Sequence, residues 1–251
     1  MPGDTALARA LALVRDLRAR CPWDRAQTRT TLRPYLVEEA LELDQALAQG
    51  DPARLRDELG DLLLHLAFQI VIGEERSEFD AEAVTRALEE KMWRRHPHLF
   101  GLGDAPRSWE LGKRDMGPGT RGVLAGMPPT LPPLLMAYRL QERAAGVGFD
   151  WPDARGPLAK VKEELGELER ATGNGERAAM AEELGDLLFA VVNLARKLTL
   201  DPRAALERAN AKFTRRFEAV ERLAEQRGVE IGRAGLDELD RLWDEVKTQP
   251  L

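Results

Sequence analysis

One pattern occurs twice in this chain, and that constrains its fold more than any other feature. A displacement of 125 residues carries Glu38-Glu39-Ala40-Leu41-Glu42-Leu43 onto Glu163-Glu164-Leu165-Gly166-Glu167-Leu168. It also carries Glu58-Leu59-Gly60-Asp61-Leu62-Leu63 onto Glu183-Leu184-Gly185-Asp186-Leu187-Leu188. From 38 to 63, without a gap, 13 of 26 positions are identical. Unrelated helical segments of this composition would share roughly two or three, so the halves read as a duplication. The echo continues with small shifts: Lys91-Met92-Trp93-Arg94-Arg95 resembles Lys212-Phe213-Thr214-Arg215-Arg216, Trp23-Asp24 has a counterpart region in Asp150-Trp151, and Trp109 with Lys113 resembles Trp243 with Lys247.

Both copies read as helix. Leu7, Leu11, Val14 and Leu17 form one apolar stripe, Leu59, Leu62, Leu63, Leu66 and Ile70 a second, and Leu184, Leu187, Leu188, Val191, Ala195 and Leu198 a third. These follow the spacing of amphipathic helices, and no convincing strand alternation exists. The spacing predicts helices over 5–19, 30–48, 53–73, 80–95, 132–145, 157–172, 177–198, 202–227 and 236–248. From Phe100 to Pro133 glycine and proline alternate, which breaks helices. The expected organisation is therefore all-α: a helical domain over 1–100, a Gly/Pro-rich connector over 101–133 with a short helix near Trp109, and a second helical domain over 134–251.

The acidic residues carry the chemistry. Glu164 and Glu167 lie on one flank of a stripe of Val161, Leu165, Leu168 and Thr172 that is expected to be buried, with Glu163 nearer solvent. Glu183 and Asp186 lie on one flank of Leu184, Leu187, Leu188 and Val191. Each pair is spaced i, i+3, so its side chains are neighbours. A short connection through Gly173-Asn174-Gly175 would fold the two helices against each other and bring four carboxylates to one edge. Like charges so close repel, and a divalent cation resolves the repulsion. Oxygen donors without sulfur or imidazole favour magnesium, with manganese as the alternative. A single acidic pair is more often a solvated face; two matched pairs on consecutive helices, present twice, reverse that preference. Glycine inside a helix costs about 1 kcal/mol relative to alanine, so Gly60 and Gly185 suggest close helix approach. The corresponding first-copy carboxylates are Glu39, Glu42, Glu58 and Asp61.

Composition narrows the alternatives. Hydrophobic residues make up 43% of the chain, enough for a packed core, and the net charge of −6 argues against duplex nucleic acid as the main partner. One cysteine, Cys21, excludes an internal disulfide and a paired-cysteine zinc site. The three histidines are His65, His96 and His98, so the second copy must work without imidazole. His96 and His98 read as a polar helix-end pair. No apolar run is long enough to span a membrane, and the charged start is unlike a signal segment, so the expected location is the cytoplasm.

Lys212, Arg215 and Arg216 share a helix face, as do Lys91, Arg94 and Arg95. Arginine forks and lysine ammonium groups suit phosphate oxygens. A solvated basic face is the competing reading, and Trp243 could stack on a base but by itself reads better as a core or interface residue.

Glu-Glu-x-x-Glu followed by Glu-x-x-Asp resembles the MazG-type all-α nucleoside triphosphate pyrophosphohydrolases. Cys21-Pro22-Trp23-Asp24, Arg94-Arg95-His96-Pro97-His98, Val147-Gly148-Phe149-Asp150-Trp151 and Glu183-Leu184-Gly185-Asp186-Leu187-Leu188 are similar to MazG itself. Arg20 stands where that family usually has glycine. The resemblance implies a tandem of two helical MazG-type domains, a homodimer, and Mg-dependent hydrolysis of NTPs and dNTPs to monophosphate and pyrophosphate, in the service of nucleotide house-cleaning or pool control. It implies metal ligation by Glu164, Glu167, Glu183 and Asp186. It implies nucleotide contacts from Lys160, Val161, Lys162, Glu163 and Glu164, from Lys212, Phe213, Thr214, Arg215 and Arg216, and from Trp243. Glu163, by position, is the candidate to accept the proton of the attacking water. The rivals are a non-catalytic Mg-nucleotide-binding regulatory module, a helical scaffold whose acids only form salt bridges, and a relative restricted to one nucleotide.

Overall fold

A computed structural model of the chain describes residues 5–104 and 122–248. The chain divides into two compact units, Met1–Ala105 and Pro106–Leu251. The first contains α1 (Ala6–Arg20), α2 (Pro22–Ala26), α3 (Arg29–Gln49), α4 (Pro52–Glu75) and α5 (Ala81–Arg95), followed by a 3-10 turn at Pro97–Leu99. The second contains α6 (Pro133–Ala145), α7 (Arg155–Asn174), α8 (Arg177–Lys197), α9 (Pro202–Gln226) and α10 (Leu236–Thr248). Among the described residues there is no strand, and no helix is long and apolar enough to cross a membrane. The architecture is the all-α tandem that the repeat implies. Every helix expected from spacing is present; α2 is the addition, five residues being too few to show a period. The helix expected near Trp109, and the Trp109–Lys113 echo, lie outside the described residues.

Local chemistry sets the helix ends. The side chains of Thr5, Asp51, Asp80 and Asp201 accept hydrogen bonds from first-turn amides of α1, α4, α5 and α9. Thr28 and Thr31 form a reciprocal capping box at the start of α3. Pro52 and Pro202 occupy first positions, where a missing N–H costs nothing. α3 and α7 both end on a left-handed glycine, Gly50 (φ 71°) and Gly175 (φ 73°), at equivalent places in the repeat. Each glycine turns the chain into the next helix within two residues, so α3 folds back along α4 and α7 along α8.

The two units bury different things. In the first, α1 packs on α4 around Leu11, Val14, Leu32, Ala67, Phe68, Ile70, Val71 and Ile72. Arg18 is almost wholly buried there; its guanidinium donates to both Glu75 oxygens and to the carbonyls of Asp24 and Gln27. In the second unit, α9 and α10 enclose a smaller cluster of Val220, Ala224, Leu242 and Val246. The Asp150 carboxylate receives hydrogen bonds from Arg196 and Lys197, which ties the segment before α7 to the end of α8.

The leucine stripes differ from expectation. Leu165, Leu184, Leu188 and Val191 are 46%, 48%, 53% and 44% exposed, while Glu164 is only 4% exposed. The seam of α7 that faces α8 is instead Pro157, Glu164 and Ala171, at seven-residue spacing. Periodicity shows which residues share a face, but a helix with two opposed faces does not say which one a single chain covers. Nor does Gly60 or Gly185 mark a close approach within the chain, since a Cβ at either would meet no atom within 4 Å.

Candidate functional site

The seven-residue seam places the acids. In α3 Leu32 and Ala46 are buried, and Glu39, half-buried, stands midway between them. In α7 Glu164 holds the equivalent place between Pro157 and Ala171. On the following helices, Glu58 and Asp61 of α4, and Glu183 and Asp186 of α8, lie one turn apart on the face that meets the seam. Two groups result: one oxygen each from Glu39, Glu58 and Asp61 lies within 4.8 Å of the others, and so does one oxygen each from Glu164, Glu183 and Asp186. Glu167 joins Glu163 and Glu164 in a third group, and its carboxylate accepts from Arg170 at 3.2 Å. Glu42, its first-copy counterpart, is exposed and belongs to none of these groups.

The crowding shows in the proton affinities. Burial, then the neighbouring Glu167, Glu164, Asp186 and Glu182, raise the Glu183 carboxyl above the usual glutamate range. Burial, then Asp61, Glu42, Glu38 and Glu58, raise Glu39 likewise. Three all-oxygen donors converging without enough positive charge fit a hard dication of the magnesium or manganese kind.

The copies differ around these acids. Beside the second group, the Lys160 ammonium lies 2.5 Å from Glu164 and 2.9 Å from Glu163. Its bonds to Glu164 and then Glu163 push its proton affinity up. In the first unit Tyr35 stands at the equivalent place. Its ring stacks on His65 at 6.5 Å and meets Trp23 edge-on at 6.4 Å. His65 is nearly buried, lies with Nε2 3.9 Å from Glu39, and has an enclosed Nδ1 without a hydrogen-bond partner. Burial lowers its proton affinity, so the imidazole is neutral near pH 7. Sequence reasoning did not connect His65 to the site, although it follows Asp61 by one helical turn and Glu58 by two, a spacing that carries the signal. Lys160, one turn before Glu164, was legible in the same way.

The basic cluster is placed differently. Lys212 and Arg215 are exposed on α9, with Arg208, Ala205, Ala209 and Ala211 beside them. Among the described residues no ion pair joins Lys212, Arg215 or Arg216 to the carboxylates of α7 and α8. Phe213 stacks with Phe217 at 5.9 Å and lies 5.3 Å from Trp243, whose ring also faces Lys247 at 5.9 Å. Trp243 is thus half-buried against the α9–α10 cluster and adjoins the basic stretch. Val161, Lys162 and Thr214 line the same helices as the acids and the basic cluster, and Lys91, Arg94 and Arg95 occupy the last turns of α5.

Comparison with known proteins matches both acidic helix pairs to one family. The model of the MazG nucleotide pyrophosphohydrolase domain matches residues 27–100 and again 156–221, so each match contains one acidic helix pair. A nucleoside triphosphate pyrophosphohydrolase/pyrophosphatase MazG of Thermotoga maritima is 42% identical over 232 residues, covering 90% of this chain and 89% of that protein. A nucleoside triphosphate pyrophosphohydrolase of Escherichia coli K12 is 39% identical over 248 residues, covering 95% and 94%. One of Mycobacterium tuberculosis is 34% identical over 150 residues, covering 57% and 46%. With two matches to the family and relatives similar along nearly their whole length, the chain belongs to the MazG nucleotide pyrophosphohydrolase family.

Proposed function

We propose that the protein hydrolyses nucleoside triphosphates, ribo and deoxy, to the monophosphate and pyrophosphate, and that it depends on Mg²⁺, or Mn²⁺ in its place. The observation that carries this reading is the buried Glu164 sharing an oxygen cluster with Glu183 and Asp186. These three, with Glu167 at the border of the cluster, are the ligand set; Glu39, Glu58 and Asp61, bordered by Glu42, are its first-copy form. A dication held there supplies Lewis-acid polarisation of the phosphoryl group and a bound water of lowered pKa.

The chain's own side chains do the rest. Glu163, exposed and beside Glu164, accepts the proton of the attacking water. Lys160, with Val161 and Lys162 in the same turn, meets the phosphates from α7. Lys212, Arg215 and Arg216, with Phe213 and Thr214 in that stretch, neutralise the departing pyrophosphate, and Trp243 stacks on the base. Lys91, Arg94 and Arg95 are the first-copy form of the basic cluster. The work of such a reaction is the clearing or balancing of a nucleotide pool, in the cytoplasm.

The active form is a homodimer. Leu184, Leu188 and Val191 on α8 and Leu59, Leu63 and Leu66 on α4 are the same half-exposed stripe at equivalent repeat positions. A helix pair with such a stripe completes a four-helix bundle when a second pair covers it.

Hydrolysis of a nucleotide panel in ¹⁸O-labelled water tests the reaction. The expected products are pyrophosphate and monophosphate with the label in the monophosphate. Labelled orthophosphate would mean an ordinary phosphatase. Nucleotide binding without any product would mean a regulatory module.

A further inference from the structure

The two acidic clusters share a backbone plan but differ in the residue one turn before the central glutamate. In α7 that residue is Lys160. Its ammonium bridges Glu164 at 2.5 Å and Glu163 at 2.9 Å, so the most buried ligand of the second cluster is already neutralised. A dication arriving alone must bind a carboxylate that this ammonium already pairs, against the repulsion of like charges. A triphosphate changes the balance, because its oxygens draw the ammonium off the glutamates while bridging to the cation.

In α3 the equivalent residue is Tyr35, which carries no charge. Of the basic groups near the first cluster, Arg54 reaches Glu58 through Nε at a long 3.4 Å. Its terminal nitrogens donate to Gln49 at 2.8 Å and Gln45 at 3.0 Å. The His65 imidazole stands 3.9 Å from Glu39. Glu39 itself has Asp61, Glu42, Glu38 and Glu58 as acidic neighbours. Among the described residues the Glu39 end of the first cluster has no lysine or arginine ion pair, where the Glu164 end of the second has Lys160.

We propose that the first site takes a free divalent cation whereas the second takes its cation together with a polyphosphate, and that Tyr35 or Lys160 decides which. The first site then holds its ion whatever the nucleotide level, while the second is loaded only with substrate. This rests on the metal-site reading above and extends it.

Mn²⁺ titration of the full-length chain, followed by electron paramagnetic resonance, is the test, with and without a triphosphate bearing a methylene between the α- and β-phosphorus. Without nucleotide, wild type should bind one Mn²⁺ per chain tightly and a second at least about tenfold more weakly, from the charge beside the second site. The analogue should bring the second into the range of the first. Asp61→Asn should remove the tight ion and Asp186→Asn the nucleotide-dependent one. Lys160→Met should tighten the second site without nucleotide, and Tyr35→Lys should weaken the first, each by about that same factor. Circular dichroism checks that each variant is folded, and Lys160→Gln replaces Lys160→Met if it is not. Two equivalent, nucleotide-independent sites in wild type, or a second site indifferent to Lys160 replacement, would overturn the proposal. No Mn²⁺ bound at either site even with the analogue would instead overturn the metal-site reading beneath it.

Discussion

Arg18 and Glu183 show opposite ways in which one charged side chain sits in this fold. Arg18 is buried with every contact satisfied: a carboxylate and two carbonyls accept from it. Arg18→Met would strand those acceptors, so a loss of about 2–4 kcal/mol is expected in urea unfolding. The partner Glu75 titrates below the ordinary glutamate value because Arg18 donates to it. A depressed carboxyl stabilises above its unfolded value, and the benefit fades as pH falls through the folded one; Arg18→Met should remove that acid sensitivity. Glu183 is the reverse case, raised by burial and by its acidic neighbours. A raised carboxyl favours the fold below its unfolded value, and that benefit is lost as pH rises through the folded one. The gain in melting temperature from Mg²⁺ added together with the methylene triphosphate should therefore grow between about pH 4.5, the ordinary glutamate value, and neutrality. A gain independent of pH would contradict this account of the cluster. Asp186→Ala and Glu183→Ala should each abolish turnover, by about 10³-fold or more, while far-ultraviolet dichroism stays unchanged. The same changes at Asp61 and Glu58 should cost less.

The helical hairpin is the element that makes the site. Its left-handed glycine at the end of α7 sets the angle at which Glu164 meets Glu183 and Asp186. Gly175→Ala forces a Cβ into φ 73°, at a cost of about 1 kcal/mol. Thermal melting would register this as a fall of a few degrees, and an unchanged melting temperature would mean the turn can relax. At this scale the sequence was highly readable. Repetition, amphipathic spacing and glycine and proline punctuation predicted every long helix, and the short glycine connection predicted that α7 folds against α8. The orientation of the hairpin was not readable. Leu165 and Leu188 look like core residues to any periodic analysis, yet within one chain the buried seam runs through Glu164. What hid this is that a leucine stripe and an acidic seam lie on neighbouring faces of the same helix, and burial depends on what packs against each. His65 escaped for a related reason: a single histidine among leucines reads as core until the fold sets it beside Glu39.

At the scale of the whole molecule, duplication has produced two acidic hairpins with different surroundings. The first sits against a core with an aromatic and imidazole wall. The second carries a lysine over its acids and a long basic helix nearby. Both leave the same leucine stripe half-open, which argues for assembly rather than for a self-sufficient chain. Light scattering of the eluting protein should give twice the 28.0 kDa chain mass. Leu188→Glu combined with Leu63→Glu should shift it to the single-chain mass, and a wild-type protein already at 28.0 kDa would remove the homodimer from the account.

The most direct measurement of the central claim is anomalous diffraction from crystals grown with Mn²⁺ and a non-hydrolysable triphosphate. The account predicts an anomalous peak bonded to Glu164, Glu183 and Asp186, with the triphosphate on the same ion. The three carboxylates turned to solvent, with no peak between them and the nucleotide bound elsewhere, would contradict it.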